Sequence, residues 1–136
     1  MKKVIFVCTG NTCRSPMAQE LFNKYCAENG IDASADSAGI AACEGMPASE
    51  NTVAVMSELG IDMSAHSAKP ISRALLDSAD LIVCMSEGHA EMLKAAGYSP
   101  VVFGGGIPDP YGYSVDVYLE CRDKMYEKMP ELVKML

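Results

Sequence analysis

Apolar residues in this chain come in short clusters, and their spacing switches between two periods. Val4-Ile5-Phe6-Val7 is unbroken and reads as a buried strand. Met17, Leu21 and Tyr25 then recur at helical spacing with Phe22 beside them, predicting a helix from Ser15 to about Glu28 that Asn29-Gly30 ends. Ser15 is expected to cap this helix and Pro16 to take its first helical position. Ile31 to Ala38 is a weaker strand candidate, rich in Ala and Ser and closed by Ser37-Ala38-Gly39. After Gly45-Met46-Pro47, a helix from about Ala48 to Leu59 carries Thr52, Val53, Met56 and Leu59 at helical spacing, and Gly60 stops it. Met63 to Pro70 reads as a loop and Ser72 to Ser78 as a short helix. Within Asp80 to Met85, Leu81-Ile82-Val83-Cys84 is apolar on both faces, as a central parallel strand is. Ser86 should cap a helix to about Ala96, with Val101-Val102-Phe103 as a last short strand. Gly104 to Tyr111 reads as an irregular loop in which Asp109, between two prolines, is held stiffly. A final helix is expected from about Ser114 to Leu136, with Val117, Cys121, Met125, Leu132 and Leu136 apolar and Pro130 bending it.

This alternation, without repeat or linker, predicts one α/β domain over residues 1–136. It should hold about four parallel strands with right-handed crossovers and helices on both faces, a three-layer arrangement. Ligands bind such sheets beyond the carboxyl ends of the strands, where the loops at Cys8 and Asp109 are expected.

Composition narrows the partners. A net charge of −7 opposes nucleic acid, which needs a basic face. No apolar run is long enough to span a membrane, and Met1-Lys2-Lys3 before a short strand is not a signal peptide, so a cytoplasmic protein is expected. The six cysteines are read as reduced rather than as a disulfide framework, with Cys26, Cys43, Cys84 and Cys121 as filler. No pair has C-x-x-C spacing and the two histidines lie far apart, so neither a metal nor another cofactor is expected.

The chemistry gathers in Val7 to Pro16, VCTGNTCRSP. A strand, a tight loop and a helix N-terminus make an anion site, because loop N–H groups can point inward and the helix dipole favours negative charge. Arg14 adds a planar two-pronged donor suited to phosphate oxygens. Cys8 sits at the floor of this cup, where a thiolate is favoured. Each residue alone has a plainer reading: a buried small side chain, a surface charge, a Gly-Asn turn. Their coincidence at this spacing favours a nucleophilic thiolate in contact with a tetrahedral oxyanion. Cys13 shares the loop; it either pairs reversibly with Cys8, protecting it from deeper oxidation, or packs beneath the loop.

The stretch VCTGNTCRSPMA resembles the low-molecular-weight protein tyrosine phosphatases, whose signature is Cys, five residues, Arg, then Ser or Thr, and the resemblance runs essentially the full length. It implies that Cys8 becomes phosphocysteine, that Arg14 clamps the phosphoryl group, and that Thr9, Gly10, Asn11, Thr12, Cys13 and Ser15 complete the phosphate site. Ser15 would hydrogen-bond the Cys8 thiolate, and Asn11 would hold a positive-φ conformation with Ser37 as its partner. His66 would support the loop structurally, Asp109 would be the general acid and then the base, and Tyr111 would wall the substrate cleft. His89 is assigned no role.

The implied partners are phosphorylated proteins, with inorganic phosphate or other oxyanions in the loop. Two other classes are weighed. An arsenate reductase shares fold and loop but needs a second cysteine after Cys84, and none follows within the next helix; Pro16 also stands where those reductases have Gln. A mere phosphate-binding module needs neither Cys8 nor Asp109. For the substrate, tyrosine phosphatases of the family carry Ile or Leu where this chain has Thr12, which resembles the protein arginine phosphatase branch. A branched alkyl group packs on an aryl ring, whereas a hydroxyl meets a polar guanidinium. No aromatic residue lies near Cys43 to sandwich a ring. Phosphoarginine is therefore favoured over phosphotyrosine.

Overall fold

The two unbroken apolar runs become neighbouring strands at the centre of one sheet. In the computed structural model, which describes residues 1–136, they are β1 (Lys2–Cys8) and β3 (Leu81–Cys84). They are flanked by β2 (Ala33–Gly39) and β4 (Val101–Val102), in the order β2-β1-β3-β4 with every pairing parallel. Parallel neighbours need crossovers. These are the helices α1 (Arg14–Asn29), α2 (Glu50–Ser57), α3 (Arg73–Asp77) and α4 (Glu87–Ala95), followed by α5 (Val115–Glu127) and α6 (Met129–Val133).

Both faces of the sheet are covered, which is why the central strands carry no alternation. Val4, Phe6 and Cys8 face a core with Met17, Leu21 and Phe22 of α1, Met56 of α2 and Met125 of α5. Ile5 and Val7 face the opposite core with Ile82, Cys84, Leu76 and Leu93. Phe6 lies between Phe22 and Phe103, with ring centroids 6.0 and 5.8 Å away. No helix is long and apolar enough to cross a membrane.

Three local expectations are corrected. Helix α1 begins one residue early, at Arg14, so Ser15 lies inside its first turn and caps nothing. Pro16 is then the third helical residue, where its missing N–H still falls among the helix's unpaired donors. The long final helix is two helices broken at Lys128, since Pro130 has no N–H for the Tyr126 carbonyl and its ring crowds that turn. The last strand ends at Val102, and Phe103–Gly105 forms a 3₁₀ turn instead of strand and open loop, with Gly104 at φ 55°. Of the filler cysteines, Cys43 is exposed, whereas Cys26, Cys84 and Cys121 are buried.

Candidate active site

Strand β1 delivers Cys8 to the carboxyl edge of the sheet, and the chain turns at once into α1. The turn requires a left-handed residue, which Asn11 supplies with φ 56°, the one non-glycine positive φ in the chain. Its buried side chain braces the loop in three directions. Nδ2 donates to Ser15 Oγ at 2.8 Å and to Ser37 Oγ at 3.0 Å, while Oδ1 accepts from the Lys69 N–H at 3.1 Å. Ser37 in turn donates to Gln19 at 2.6 Å. His66 Nε2 lies 2.8 Å from the Asn11 carbonyl, which can only accept, so this nitrogen carries a proton.

Those bonds decide where the Ser15 proton points. With Asn11 Nδ2 occupying a lone pair of Ser15 Oγ, the hydroxyl is free to donate to Cys8 Sγ, 2.8 Å away. The Asn11 N–H also donates to Cys8 Sγ, at 3.3 Å. Two donors thus converge on one sulfur, an arrangement suited to a nucleophile. The N–H groups of Gly10, Thr12, Cys13 and Arg14 meet no protein acceptor and surround the same hollow. A cavity of about 230 Å³ opens above Cys8, lined by Cys8 to Arg14 together with Asp109 and Tyr111.

The opposite wall comes from beyond β4. Arg14 is buried, its Nη1 donates to the Ile107 carbonyl at 2.9 Å, and its Nη2 lies 3.6 Å from Asp109 Oδ2. One guanidinium therefore ties the helix N-terminus to the acidic loop. Asp109 is half exposed and its Oδ1 accepts the Tyr111 N–H at 3.1 Å, closing a short Asx turn. Tyr111 stands at the rim, 71% exposed. Thr12 lines the cavity while its carbonyl accepts from Ser49 N–H at 3.0 Å. Cys13 Sγ is buried 3.4 Å from both Ser49 Oγ and Tyr118 Oη. Burial first, then the hydrogen bond with Cys13, raises Tyr118 to about 12.

Every residue expected at the cup is thus beside it, and Ser37 and His66 brace it from behind. Two further residues shape the cup without any signal in the sequence. His89 is buried with Nε2 2.9 Å from Thr9 Oγ1, although the two lie 80 positions apart. Gly39 reads in the sequence only as the end of a strand. A Cβ there would lie 2.5 Å from the Thr9 carbonyl and 3.0 Å from the Asn11 nitrogen, both backbone atoms that cannot step aside. Gly39→Ala is therefore expected to displace the loop and cost about 1–3 kcal/mol, read as a lower denaturant midpoint. A midpoint within experimental error of the parent would show that the loop yields freely.

Cys84 is fully buried in the core on the other side of the sheet from Cys8, and burial pushes its thiol up to about 12. It faces away from the cup, which weighs against an arsenate reductase.

Comparison with known proteins gives one consistent result. Residues 3–136 match the family model described as low molecular weight phosphotyrosine protein phosphatase. A protein-arginine-phosphatase of Bacillus subtilis is 35% identical over 144 residues, covering 98% of this chain and 95% of that protein. The crystal structure of a low molecular weight protein tyrosine phosphatase from T. tengcongensis is 38% identical and superposes with a TM-score of 0.92 over 100% of both chains. A YwlE arginine phosphatase, solved as a cysteine-to-serine mutant with a phosphorylated active site serine, is 34% identical with a TM-score of 0.90, covering 97% of this chain and 93% of that one.

Proposed function

The chain belongs to the low molecular weight phosphotyrosine protein phosphatase family of cysteine-dependent enzymes, and from that premise we propose that it hydrolyses phosphoarginine in proteins through a phosphocysteine at Cys8. The observation that carries this reading is the pair of donors, Ser15 Oγ and Asn11 N–H, converging on Cys8 Sγ at the floor of a cup of free N–H groups.

In the first step Cys8 Sγ attacks phosphorus and the bond from phosphorus to the leaving nitrogen breaks. Asp109 gives its proton to that nitrogen as it departs. Arg14 and the loop N–H groups hold the three phosphoryl oxygens, whose charge grows towards the transition state. In the second step Asp109 takes a proton from water, the water oxygen attacks phosphocysteine, and phosphate leaves with the thiolate restored. Arg14 is suited to coupling the two halves, since its Nη1 already holds the acid loop through Ile107.

Two features support arginine over tyrosine. Thr12 places a hydroxyl in the cavity wall, and Tyr111 is the one aromatic side chain lining the cavity, so a ring has no second face to stack on. Relatives of comparable identity carry both activities in their names, and Thr12 is the residue on which this reading of the substrate rests.

Thr12→Ile is expected to shift the ratio of kcat/KM for phosphoarginine over phosphotyrosine towards tyrosine by roughly 10–100-fold. The change adds bulk against the guanidinium plane, deletes a polar group and supplies apolar surface for a phenyl ring. Inhibition by inorganic phosphate should barely move, because the backbone cup and Arg14 are untouched. Paired kinetics on phosphoarginine and phosphotyrosine peptides read this directly. A parent enzyme that prefers phosphotyrosine, with a ratio unmoved by Thr12→Ile, returns the chain to a tyrosine phosphatase.

A further inference from the structure

His89 reaches the cup from a distant element. It sits in the first turn of α4, whose cap Ser86 accepts the His89 N–H at 3.3 Å. Its ring is buried and spans two hydroxyls. Nδ1 lies 2.9 Å from Ser86 Oγ, and Nε2 lies 2.9 Å from Thr9 Oγ1. Thr9 follows Cys8 directly and lines the cavity. Its carbonyl is separately tied to the Ala41 N–H at 2.9 Å, so its backbone does not need the histidine to stay in place.

Proton accounting separates two arrangements. In one, the imidazole proton is on Nδ1 and goes to Ser86 Oγ, so the Ser86 proton has no protein acceptor and Thr9 spends its own proton on Nε2. In the other, Ser86 gives its proton to Nδ1, Nε2–H donates to Thr9 Oγ1, and the Thr9 proton is left over. No other protein group pairs with the Thr9 hydroxyl. In an empty cup the second arrangement leaves a donor idle beside the cavity. In a cup holding an oxyanion it supplies one more donor to the charge, so the anion selects it.

We propose that His89 is a positioning residue for the phosphatase reaction: with an oxyanion in the cup its Nε2–H is donated to Thr9 Oγ1, and the Thr9 hydroxyl proton is thereby turned onto the phosphoryl oxygens. This rests on the reading of the cup as the phosphoryl site. A neutral ring is what the relay requires, and the surroundings provide it. Burial and then the Arg14 guanidinium push His89 below its ordinary pKa, with Asp109 opposing. Tautomer exchange in a neutral ring lets Thr9 switch between donor to the histidine and donor to the anion without moving a heavy atom. The device works only where the residue after the nucleophile carries a hydroxyl, which Thr9 does.

Two measurements test it. The first is the ¹⁵N spectrum of the imidazole nitrogens in protein saturated with inorganic phosphate at neutral pH. The chain has two histidines, and His89→Gln identifies the signals of His89 by their loss. Nε2 should be protonated; an unprotonated Nε2 in the phosphate-loaded protein overturns the proposal. The second is a double-mutant cycle between Thr9→Val and His89→Phe on an aryl phosphate. Each single change should lower kcat/KM by roughly 10–100-fold and weaken phosphate inhibition in parallel. The double variant should be no worse than the poorer single one by more than about threefold, because both remove the same donor. His89→Gln, whose amide N–H can still reach Thr9, should keep kcat/KM within about threefold of the parent, which a purely space-filling role would not explain. Losses that multiply in the double variant, with no rescue by Gln, overturn the relay. If Cys8→Ser leaves turnover standing, the underlying reading of the cup fails instead, so the two failures are distinguishable.

Discussion

Cys8→Ser is expected to lower turnover by at least about 10⁴-fold while leaving phosphate binding largely intact. The two donors that face Cys8 Sγ, Ser15 Oγ at 2.8 Å and Asn11 N–H at 3.3 Å, stabilise a thiolate but cannot make an alkoxide of a serine hydroxyl, whose proton is far harder to remove. Neither histidine beside the loop is free to take that proton. His89 is committed to Thr9 and Ser86, and His66 Nε2 to the Asn11 carbonyl. The substitution changes one atom. It leaves the loop braced by Asn11, Ser37 and His66, and leaves Arg14 on Ile107, so oxyanion affinity should survive. Steady-state kinetics with an aryl phosphate, alongside phosphate binding by calorimetry, separate the two quantities. Turnover within tenfold of the parent would remove Cys8 from the role of nucleophile.

Asp109→Asn is the second large effect, and its size should depend on the leaving group. For substrates whose leaving atom needs a proton, phosphoarginine foremost, the loss is expected at roughly 10²–10⁴-fold. An aryl phosphate with a very acidic leaving group should lose much less in the phosphorylation step, because its oxygen departs as a stable anion. The change is a clean one. The amide oxygen of Asn still accepts the Tyr111 N–H, now 3.1 Å from Asp109 Oδ1, so the turn should persist. Removing the carboxylate 3.6 Å from Arg14 Nη2 leaves that guanidinium less neutralised, so inorganic phosphate should bind as well as before or better. Single-turnover rates across a series of leaving groups give the answer. Equal losses for every leaving group in that step would count against Asp109 as the acid.

Much of this site is legible in the amino-acid sequence by itself. The residues between Cys8 and Ser15 carry their meaning locally: a loop this short, set between an apolar strand and a helix start, can turn its N–H groups towards one point. Asn11 at positive φ is what the resemblance to the family implies, and Asn tolerates that conformation better than most residues. The central strands are legible because Val4–Val7 and Leu81–Cys84 lack alternation, and only burial on both faces accounts for that. Ser86 as a cap is likewise a matter of neighbours in the chain.

What the tertiary structure decided is every contact whose partner is far away in sequence. Ser15 has the sequence context of a helix cap, and locally it could be one. It serves Cys8 because Asn11, held by Ser37 and Lys69, takes its lone pair. His89 has the sequence context of any helix-surface histidine. It reaches Thr9 because β3 lies beside β1, and that strand order sets the N-terminus of α4 next to the loop. Gly39 has the context of a strand end, but the parallel pairing that sets Cys8 opposite Gly39 brings Thr9 and Asn11 too close for a Cβ. Periodicity and loop chemistry report a residue's neighbours along the chain. Strand order places its neighbours across the sheet, and a hydroxyl or imidazole takes its role from whichever partner leaves it a free proton or lone pair.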